Sequence, residues 1–205
     1  MGYRIRILSP NSTPAPLQEL VSAAEPAMLE SDEGVGNDWE ALILKHPSGV
    51  PIAFIEKNPV LDGELGKAEL AEFAEEVGYY KPDSAAQWLL EYFQSVKIIY
   101  AFQLLHGTDV ENGFDLMHGV FNTLWRRVGG ILQADQEGFS NLDGNTILWQ
   151  FSDDVEGPWN VGVLGADGRF VNFEIDLGNH DHRESFWRGE IPAGAKLHPN
   201  DSESS

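Results

Sequence analysis

The sequence predicts an α+β protein with a mainly antiparallel sheet and its helices on one side of that sheet. Three observations lead to this prediction: apolar runs of strand length, short turn sequences between them, and longer segments with apolar residues at helical spacing. The chain has 205 residues, a length that fits one large domain. We expect a single domain over residues 1–198, any subdivision near 105–110, and a flexible tail over 199–205.

The N-terminal segment predicts a strand followed by a short helix. Residues 3–7 alternate strictly between apolar and polar side chains, as a half-buried strand does. Residues 14–24 predict a helix with Thr13 as N-cap and Pro14 at the first helical position.

A loop and a hairpin are expected next. Residues 30–38 are acidic and contain glycine, which predicts a loop. The apolar runs 39–45 and 50–57 flank His46-Pro47-Ser48-Gly49, a pattern that predicts two strands joined by a four-residue turn.

Two helices and a strand are predicted between residues 62 and 105. Asp62 is suited to cap a helix with Leu70, Phe73 and Val77 on one face. A capping box at Ser84–Gln87 begins the next helix. Residues 96–105 are apolar on both alternating faces, which is typical of a central strand covered on both sides.

The clearest helical pattern covers residues 109–128. Thr108–Glu111 resembles a capping box, and Gly129-Gly130 ends the pattern. The apolar residues at helical spacing, which predict one buried face, are Phe114, Met117, Phe121, Leu124, Trp125 and Val128.

Only strands are predicted beyond this helix. The runs are 131–135, 146–151, 159–164 and 169–176. Ala166-Asp167-Gly168 predicts a hairpin between the last two. The first seven predicted elements, β-α-β-β-α-α-β, match a ferredoxin-like split β-α-β plan with one extra helix. The second part begins in the same order if strand 96–105 is counted twice, which is compatible with two related halves sharing one sheet.

Composition excludes several classes of function. The chain has 33 acidic and 13 basic residues, and its net charge of −20 disfavours nucleic acid and anionic membranes as partners. It has no cysteine, so disulfides and thiolate metal sites are excluded. The longest apolar run, residues 98–102, is too short for a signal peptide or a membrane helix, so we expect a cytoplasmic protein.

The first candidate site lies between residues 133 and 145. On a strand, Gln133, Asp135 and Glu137 would project to one face, and with Gln150 they form a candidate polar pocket. Such oxygen-rich residues can hold a hard cation, and paired carboxylates can share a proton. We favour the simpler interpretation that Asn, Asp and Gly in this segment serve turn geometry.

The second candidate site is a weak metal-binding pattern. His180 and His182 would point the same way on an extended segment, and Asp176 would supply a third ligand for zinc or iron. An acidic loop that merely contains histidines explains the same residues, and we favour that interpretation.

Three functional hypotheses follow. The leading one is a non-enzymatic binding or regulatory module, inhibitor-like or immunity-like, whose acidic surface meets a basic protein partner without any cofactor. The second is a small metal-dependent enzyme that uses the 133–145 loop and a divalent metal. The third is a subunit of a structural homo-oligomer. The first leads because the negative charge is spread along the chain whereas no known catalytic motif occurs.

Overall fold

The computed structural model describes residues 2–33 and 36–198. The chain divides into two compact units: Met1–Glu69 with Val96–Gly130 form unit 1, and Leu70–Ser95 with Ile131–Ser205 form unit 2. The single domain over 1–198 stays a prediction, and the expected tail over 199–205 lies outside the described residues.

The described residues form strands and helices in mixed order, which confirms the α+β class. The strands are β1 Arg4–Ser9, β2 Met28–Glu33, β3 Ala41–Lys45, β4 Pro51–Pro59, β5 Ile98–Leu104, β6 Ile131–Ala134, β7 Gly138–Ser140, β8 Thr146–Trp149, β9 Pro158–Leu164, β10 Phe170–Asp176 and β11 Lys196–Leu197. The α-helices are α1 Leu17–Ala24, α2 Glu64–Glu76, α3 Asp83–Phe93, α4 Gly113–Val128 and α5 His180–Trp187. Among these, none is long and apolar enough to cross a membrane.

Unit 1 contains five strands in the order β1-β5-β4-β3-β2, and every neighbouring pair is antiparallel. The predicted central strand is confirmed, because β5 lies between β1 and β4 and its first five residues are buried. The predicted hairpin of β3 and β4 is also confirmed. The ferredoxin-like split is not confirmed: α1 joins β1 to β2, and three strands rather than one separate them.

Helices lie on both faces of the unit 1 sheet, so the prediction of a single helical side is wrong. Phe102 on β5 packs against Phe121 of α4. Ile5, the residue beside Phe102 on the neighbouring strand β1, shares its face of the sheet. The next residue, Arg6, points to the opposite face and forms an ion pair with Glu69 of α2, at 2.5 Å. Arg6 of β1 therefore contacts α2 on the face of the sheet opposite to α4.

The start of α4 corrects the predicted capping box. The helix begins at Gly113 after Asn112, which has φ 62° and provides no side-chain cap. A Cβ at Gly113 would overlap the carbonyl oxygen of Gly107, so this tight approach requires glycine. The Thr108 hydroxyl donates to the carbonyl of Leu105 at 2.7 Å instead of capping the helix.

The buried face of α4 is confirmed in its middle but not at its beginning. Met117, Phe121 and Leu124 are at most 5% exposed. Phe114 is 51% exposed and stacks on His118 of the same helix. The prediction that Phe114 is buried is therefore wrong, because this first-turn residue contacts its own helix rather than the core.

Unit 2 contains six strands in the order β11-β10-β9-β8-β7-β6. All neighbours are antiparallel except β8 and β9, which are parallel and pair at Thr146 and Val161. The β9–β10 hairpin confirms the prediction from Asp167-Gly168, and Gly168 has the φ of +81° that this turn requires. The proposed relation between two halves is not confirmed.

Three predicted loops contain regular structure. The 30–38 segment begins within β2, which pairs with β3, and it includes a 3₁₀ turn at Gly36–Asp38; residues 34–35 lie outside the described residues. The segment after Asp135 contains β7, and the segment after Asp176 contains α5. The helix predicted over 14–24 begins at Leu17, after Pro16 rather than Thr13.

Candidate functional site

The best-defined polar site of unit 2 is a buried network around Asn172 of β10. The Asn172 side chain accepts a hydrogen bond from Asn141 Nδ2 at 2.8 Å and donates to Asp143 Oδ2 at 3.0 Å. Asn141 and Asn172 are only 2% and 4% exposed. Because these amides are buried, their mutual hydrogen bonds remove the cost of leaving them unpaired and fix the loop against β10.

The loop between β7 and β8 closes on Asn141. The Asn141 side-chain oxygen accepts hydrogen bonds from the backbone N–H groups of Asp143 and Asn145, both at 3.0 Å. Gly144 has φ +80°, a left-handed conformation that favours glycine. Turn formation by Asn, Asp and Gly is therefore what the structure shows here, although Asn141 and Asn145 are buried rather than solvated.

Gly162 on β9 leaves the room that the network needs. A Cβ at this position would lie 2.8 Å from Asn172 Oδ1 and 3.0 Å from Asn141 Nδ2. Both amides are already held by hydrogen bonds and cannot move away freely. The absence of a side chain at Gly162 is thus a condition for the Asn141–Asn172 contact.

A cleft of about 240 Å³ opens beside this loop. Its lining residues come from the β7–β8 loop and from the paired strands β9 and β10; they are Gly144, Pro158, Trp159, Asn160 and Glu174. Asn160 and Glu174 lie directly opposite each other in the β9–β10 register. Directly opposite residues of an antiparallel pair share a face, so the amide and the carboxylate are neighbours in the cleft.

The orientation of Trp159 is fixed from two sides. Its indole N–H donates to the Thr146 hydroxyl at 2.9 Å, and its ring meets the edge of Phe151 at a centroid distance of 5.2 Å. Thr146 is 3% exposed and belongs to the buried strand β8. The half-buried Trp159 ring is therefore held on the core side of β9, on the face opposite Asn160 and Glu174.

The core of unit 2 is aromatic. It comprises Trp149, Val161, Val163, Phe173, Ile175, Leu177 and Phe186, with Phe151, Trp159 and Trp187 packed against it. Trp149 contacts Phe151, Phe186 and Trp187 at centroid distances of 5.2 to 6.0 Å. Phe186 and Trp187 of α5 contact Trp149 of β8, and burial of these rings holds α5 on the sheet.

Arg183 of α5 holds the acidic loop between β8 and β9. Its guanidinium donates to the carbonyl oxygens of Asp153 and Val155, both at 2.8 Å, and to that of Leu177. Within the loop, Ser152 Oγ donates to the Asp154 carboxylate at 2.5 Å, and this bond, with Arg183 nearby, lowers the pKa of Asp154.

The backbone places only some of the four residues of the predicted polar pocket as the sequence analysis expects. Gln133 lies on β6 and is 4% exposed, but β6 ends at Ala134. Asp135 and Glu137 belong to the turn before β7, so the alternation expected for one strand face does not extend to them. The backbone N–H of Gln150 donates to the Glu137 carbonyl at 3.2 Å, which makes these two residues neighbours. A pocket formed by all four side chains stays a prediction, and none of them lines the cleft.

The predicted metal ligands lie in a different local structure from the extended segment expected. His180 and His182 belong to the first turn of α5, where residues two apart diverge around the helix. Asp176 Oδ1 accepts hydrogen bonds from Gly157 and Gly178 N–H groups, and the Asp176 N–H donates to His182 Nδ1. Within residues 2–33 and 36–198, no three His, Asp or Glu side chains are grouped to hold a metal ion.

Unit 1 contains a buried lysine that the sequence did not single out. Lys57 of β4 is 9% exposed, and its ammonium lies 5.1 Å from the centre of the Trp39 ring. Burial lowers the pKa of Lys57, while Asp38 and Glu40 oppose this shift. Burial also raises the pKa of Tyr100, the residue opposite Lys57 on β5, to about 12. The Lys57–Trp39 contact holds a positive charge inside the unit rather than on its surface.

Sequence reasoning did not single out Asn160, Asn172 or Glu174. The signal that could have found Asn160 and Glu174 is the Asp167-Gly168 turn, since the hairpin register follows from it and places the two residues opposite each other. Comparison with protein-family models, with curated proteins and with solved structures finds no match to the chain. The charges and contacts of the described residues therefore have to support any functional inference.

Proposed function

We propose that the protein is a non-enzymatic binding or regulatory module that recognises a basic protein partner through its negatively charged surface. The observation that carries this proposal is an asymmetry between the charges. Many basic side chains form ion pairs, hydrogen bonds or ring contacts within their own unit, whereas many carboxylates face solvent. A surface of this kind attracts positively charged partners and accelerates their encounter.

Several basic residues already have partners within the chain. Ion pairs within the chain engage Arg6, Lys45, Lys81, Arg127 and Arg188. Lys57 lies over Trp39, and Arg183 donates to backbone carbonyls. Arg183 therefore leaves its neighbouring carboxylates without a full counter-charge, and the loop that it holds projects Asp153, Asp154 and Glu156 into solvent.

Each unit offers exposed carboxylates of its own. In unit 1 they include Glu25, Asp32, Glu40 and Asp62, and in unit 2 they include Asp153, Glu156 and Asp181. Together with the net charge of −20, this distribution favours a basic protein over an anionic partner.

The experiment measures association with an arginine-rich peptide by stopped-flow fluorescence at low and high salt, with a glutamate-rich peptide of equal length as control. We expect the association rate to fall steeply with salt and the dissociation rate to change much less, because salt screens the long-range attraction. Asp32→Lys in unit 1 and Glu156→Lys in unit 2 should slow association. The matched variant Arg126→Glu, which makes the exposed end of α4 more negative, should not slow it.

Affinity capture from cell lysate at the same two salt concentrations extends the test to proteins. Captured proteins should have basic isoelectric points and should be lost at high salt. No binding of either kind, combined with a rise in melting temperature on adding a divalent metal, would reject the proposal in favour of a metal-dependent enzyme that uses Asp135 and Glu137.

A further inference from the structure

The sheet of unit 1 ends at β2, the strand Met28–Glu33. In the part of the chain that the structure describes, β3 is the only strand beside it, so one side of the β2 backbone has no neighbouring strand. Such an edge presents N–H and C=O groups at the spacing that another strand requires. Proteins use edges of this kind to bind extended segments of their partners.

The hydrogen-bond pattern of the sheet shows which residue of β2 turns its backbone outwards. Lys57 N–H donates to the carbonyl of Glu40, and in an antiparallel pair the hydrogen-bonded positions recur at every second residue. Ile43 of β3 therefore directs its backbone groups towards β2, where Glu30 lies opposite it. Leu29, one residue before Glu30, consequently turns its N–H and C=O away from β3. Among the described residues, Leu29 forms no hydrogen bond outside the sheet.

The charged side chains of β2 are all acidic. The strand reads Met-Leu-Glu-Ser-Asp-Glu, and Glu30 and Asp32 are exposed. Glu30 forms an ion pair with Lys45 of β3 at 2.5 Å, yet 52% of its side chain stays exposed. A lysine or arginine on an added strand would lie beside these carboxylates, whereas an acidic residue there would be repelled.

The beginning of β2 is apolar. Met28 is 42% exposed, and Leu29 is half-buried. Antiparallel pairing is slightly more stable per residue than parallel pairing, and it places residues of the two strands directly opposite each other on one face. A strand that runs antiparallel to β2 therefore matches it best when a basic residue opposite Glu30 precedes an apolar residue opposite Leu29.

We propose that an extended segment of a basic partner protein adds to the sheet of unit 1 as an antiparallel strand beside β2, with its backbone hydrogen-bonded to Leu29 and a lysine or arginine beside Glu30. The inference rests on the proposed function, since it names the surface and the backbone conformation through which the basic partner is held. The backbone hydrogen bonds hold the segment, and the carboxylates select its charge.

The test follows the backbone amide resonance of Leu29 by NMR during titration with the acetylated and amidated peptide Lys-Thr-Lys-Val-Thr. In the antiparallel register its valine lies opposite Leu29 and its second lysine lies opposite Glu30. We expect a saturable downfield shift of this amide. Methylating the valine nitrogen should weaken binding at least about fivefold, because it removes the N–H that donates to the Leu29 carbonyl.

The matched control is methylation of the second lysine nitrogen, whose N–H points away from β2 and which keeps the same charge. It should weaken binding much less than methylation of the valine. Equal weakening by the two methyl groups, or a Leu29 amide that does not shift, would overturn the proposal.

Variants of the protein test the selection for charge. Glu30→Gln should weaken binding about two- to fivefold at low salt, because it removes the carboxylate beside the lysine. Its matched control is Glu64→Gln, which removes the same charge from an exposed residue on α2 and should weaken binding less. Lys45→Gln releases Glu30 from its ion pair and should tighten binding; weaker binding would contradict the proposal.

Sedimentation equilibrium of the protein alone tests a second copy of the chain as the occupant of this edge. We expect a monomer whose Leu29 amide does not shift with protein concentration. A dimer that shifts this amide would overturn the proposal, because the edge would then belong to the protein itself.

Failure of this inference is distinguishable from failure of the proposed function. If the salt-dependent association with the arginine-rich peptide persists but the Leu29 amide never shifts, strand addition is wrong and the binding module stands. If the amide shifts equally with a peptide that carries glutamate in place of both lysines, the preference for a basic partner fails and the inference built on it is rejected as stated.

Discussion

The guanidinium of Arg183 lies over the ring of Trp149, with 5.6 Å between the guanidinium carbon and the ring centroid. The same guanidinium donates hydrogen bonds to three backbone carbonyls, so one side chain joins α5 to the 152–157 loop and to the aromatic core. A flat group with several donors can satisfy both requirements, and an ammonium cannot.

Arg183→Lys should therefore destabilise unit 2 while keeping the charge. We expect a loss of about 1.5–3 kcal/mol in the free energy of unfolding, the range for hydrogen bonds to charged groups, and faster amide exchange in residues 153–157. Denaturant unfolding and hydrogen exchange measure both effects. Arg188→Lys, at the exposed residue that follows the same helix, should change stability by less than about 0.5 kcal/mol.

Gly162→Ala tests the Asn141–Asn172 network directly. The added Cβ would meet both amides at 2.8 and 3.0 Å, so we expect a loss of about 1–3 kcal/mol, the usual range for overpacking. Gly78→Ala is the matched control, because nothing lies within 4 Å of its added Cβ. Equal melting temperatures for the two variants would show that the network tolerates a methyl group.

Phe121→Ala and Phe114→Ala form a second matched pair on one helix. Phe121 is 5% exposed and contacts Phe102, so its removal should cost about 3–5 kcal/mol of stability. Phe114 is 51% exposed, and its removal should cost less than about 1 kcal/mol. Chemical denaturation of both variants measures the difference, and similar losses would contradict the burial assigned to α4.

Ile98→Asp should prevent folding, because β5 is central in unit 1 and Ile98 is 5% exposed. An unpaired carboxylate at this position would be buried without a cation. Leu65→Asp is the control: Leu65 is 69% exposed, and the variant should unfold at nearly the wild-type temperature. A soluble Ile98→Asp protein with a cooperative melt would contradict the central position of β5.

Stability should fall in alkaline solution. Burial raises the pKa of Tyr92 and of Tyr100 from 10.0 to about 12, so the folded state keeps these protons longer than the unfolded state does. Their contribution is complete below pH 10 and is lost as pH rises towards 12. Tyr100→Phe should flatten this decrease in melts recorded across the window. An unchanged alkaline slope would exclude Tyr100 as a cause.

The sequence predicted those elements whose pattern lies within a short stretch of chain and does not depend on tertiary contacts. β5 has apolar residues on both faces, and the β9–β10 hairpin has an Asp-Gly turn. The sequence did not reveal β2, because an acidic edge strand resembles a loop. It placed the start of α4 too early, because the close approach of Gly107 and Gly113 is a tertiary contact that no local pattern records.

The site was harder to predict than the fold for a related reason. Asn141 and Asn172 are separated by 31 positions in the chain, and their hydrogen bond depends on the pairing of β9 with β10 and on the missing side chain of Gly162. The polar residues singled out near Asp135 were close in sequence but lie in a turn. Proximity in sequence therefore pointed to the segment that contains Asn141 and Asp143, and the pocket of Gln133, Asp135, Glu137 and Gln150 stays a prediction.

The outer strand of unit 1 has a consequence for behaviour at high concentration. Among the strands of residues 2–33 and 36–198, β2 pairs with β3 alone, so its other backbone edge is open to a strand from a second molecule. Glu30 and Asp32 are exposed on this edge, and two copies approaching edge to edge would bring like charges together. The acidity from which we propose a basic partner would also oppose aggregation through this edge. This protection weakens when salt screens the charges or acid neutralises them.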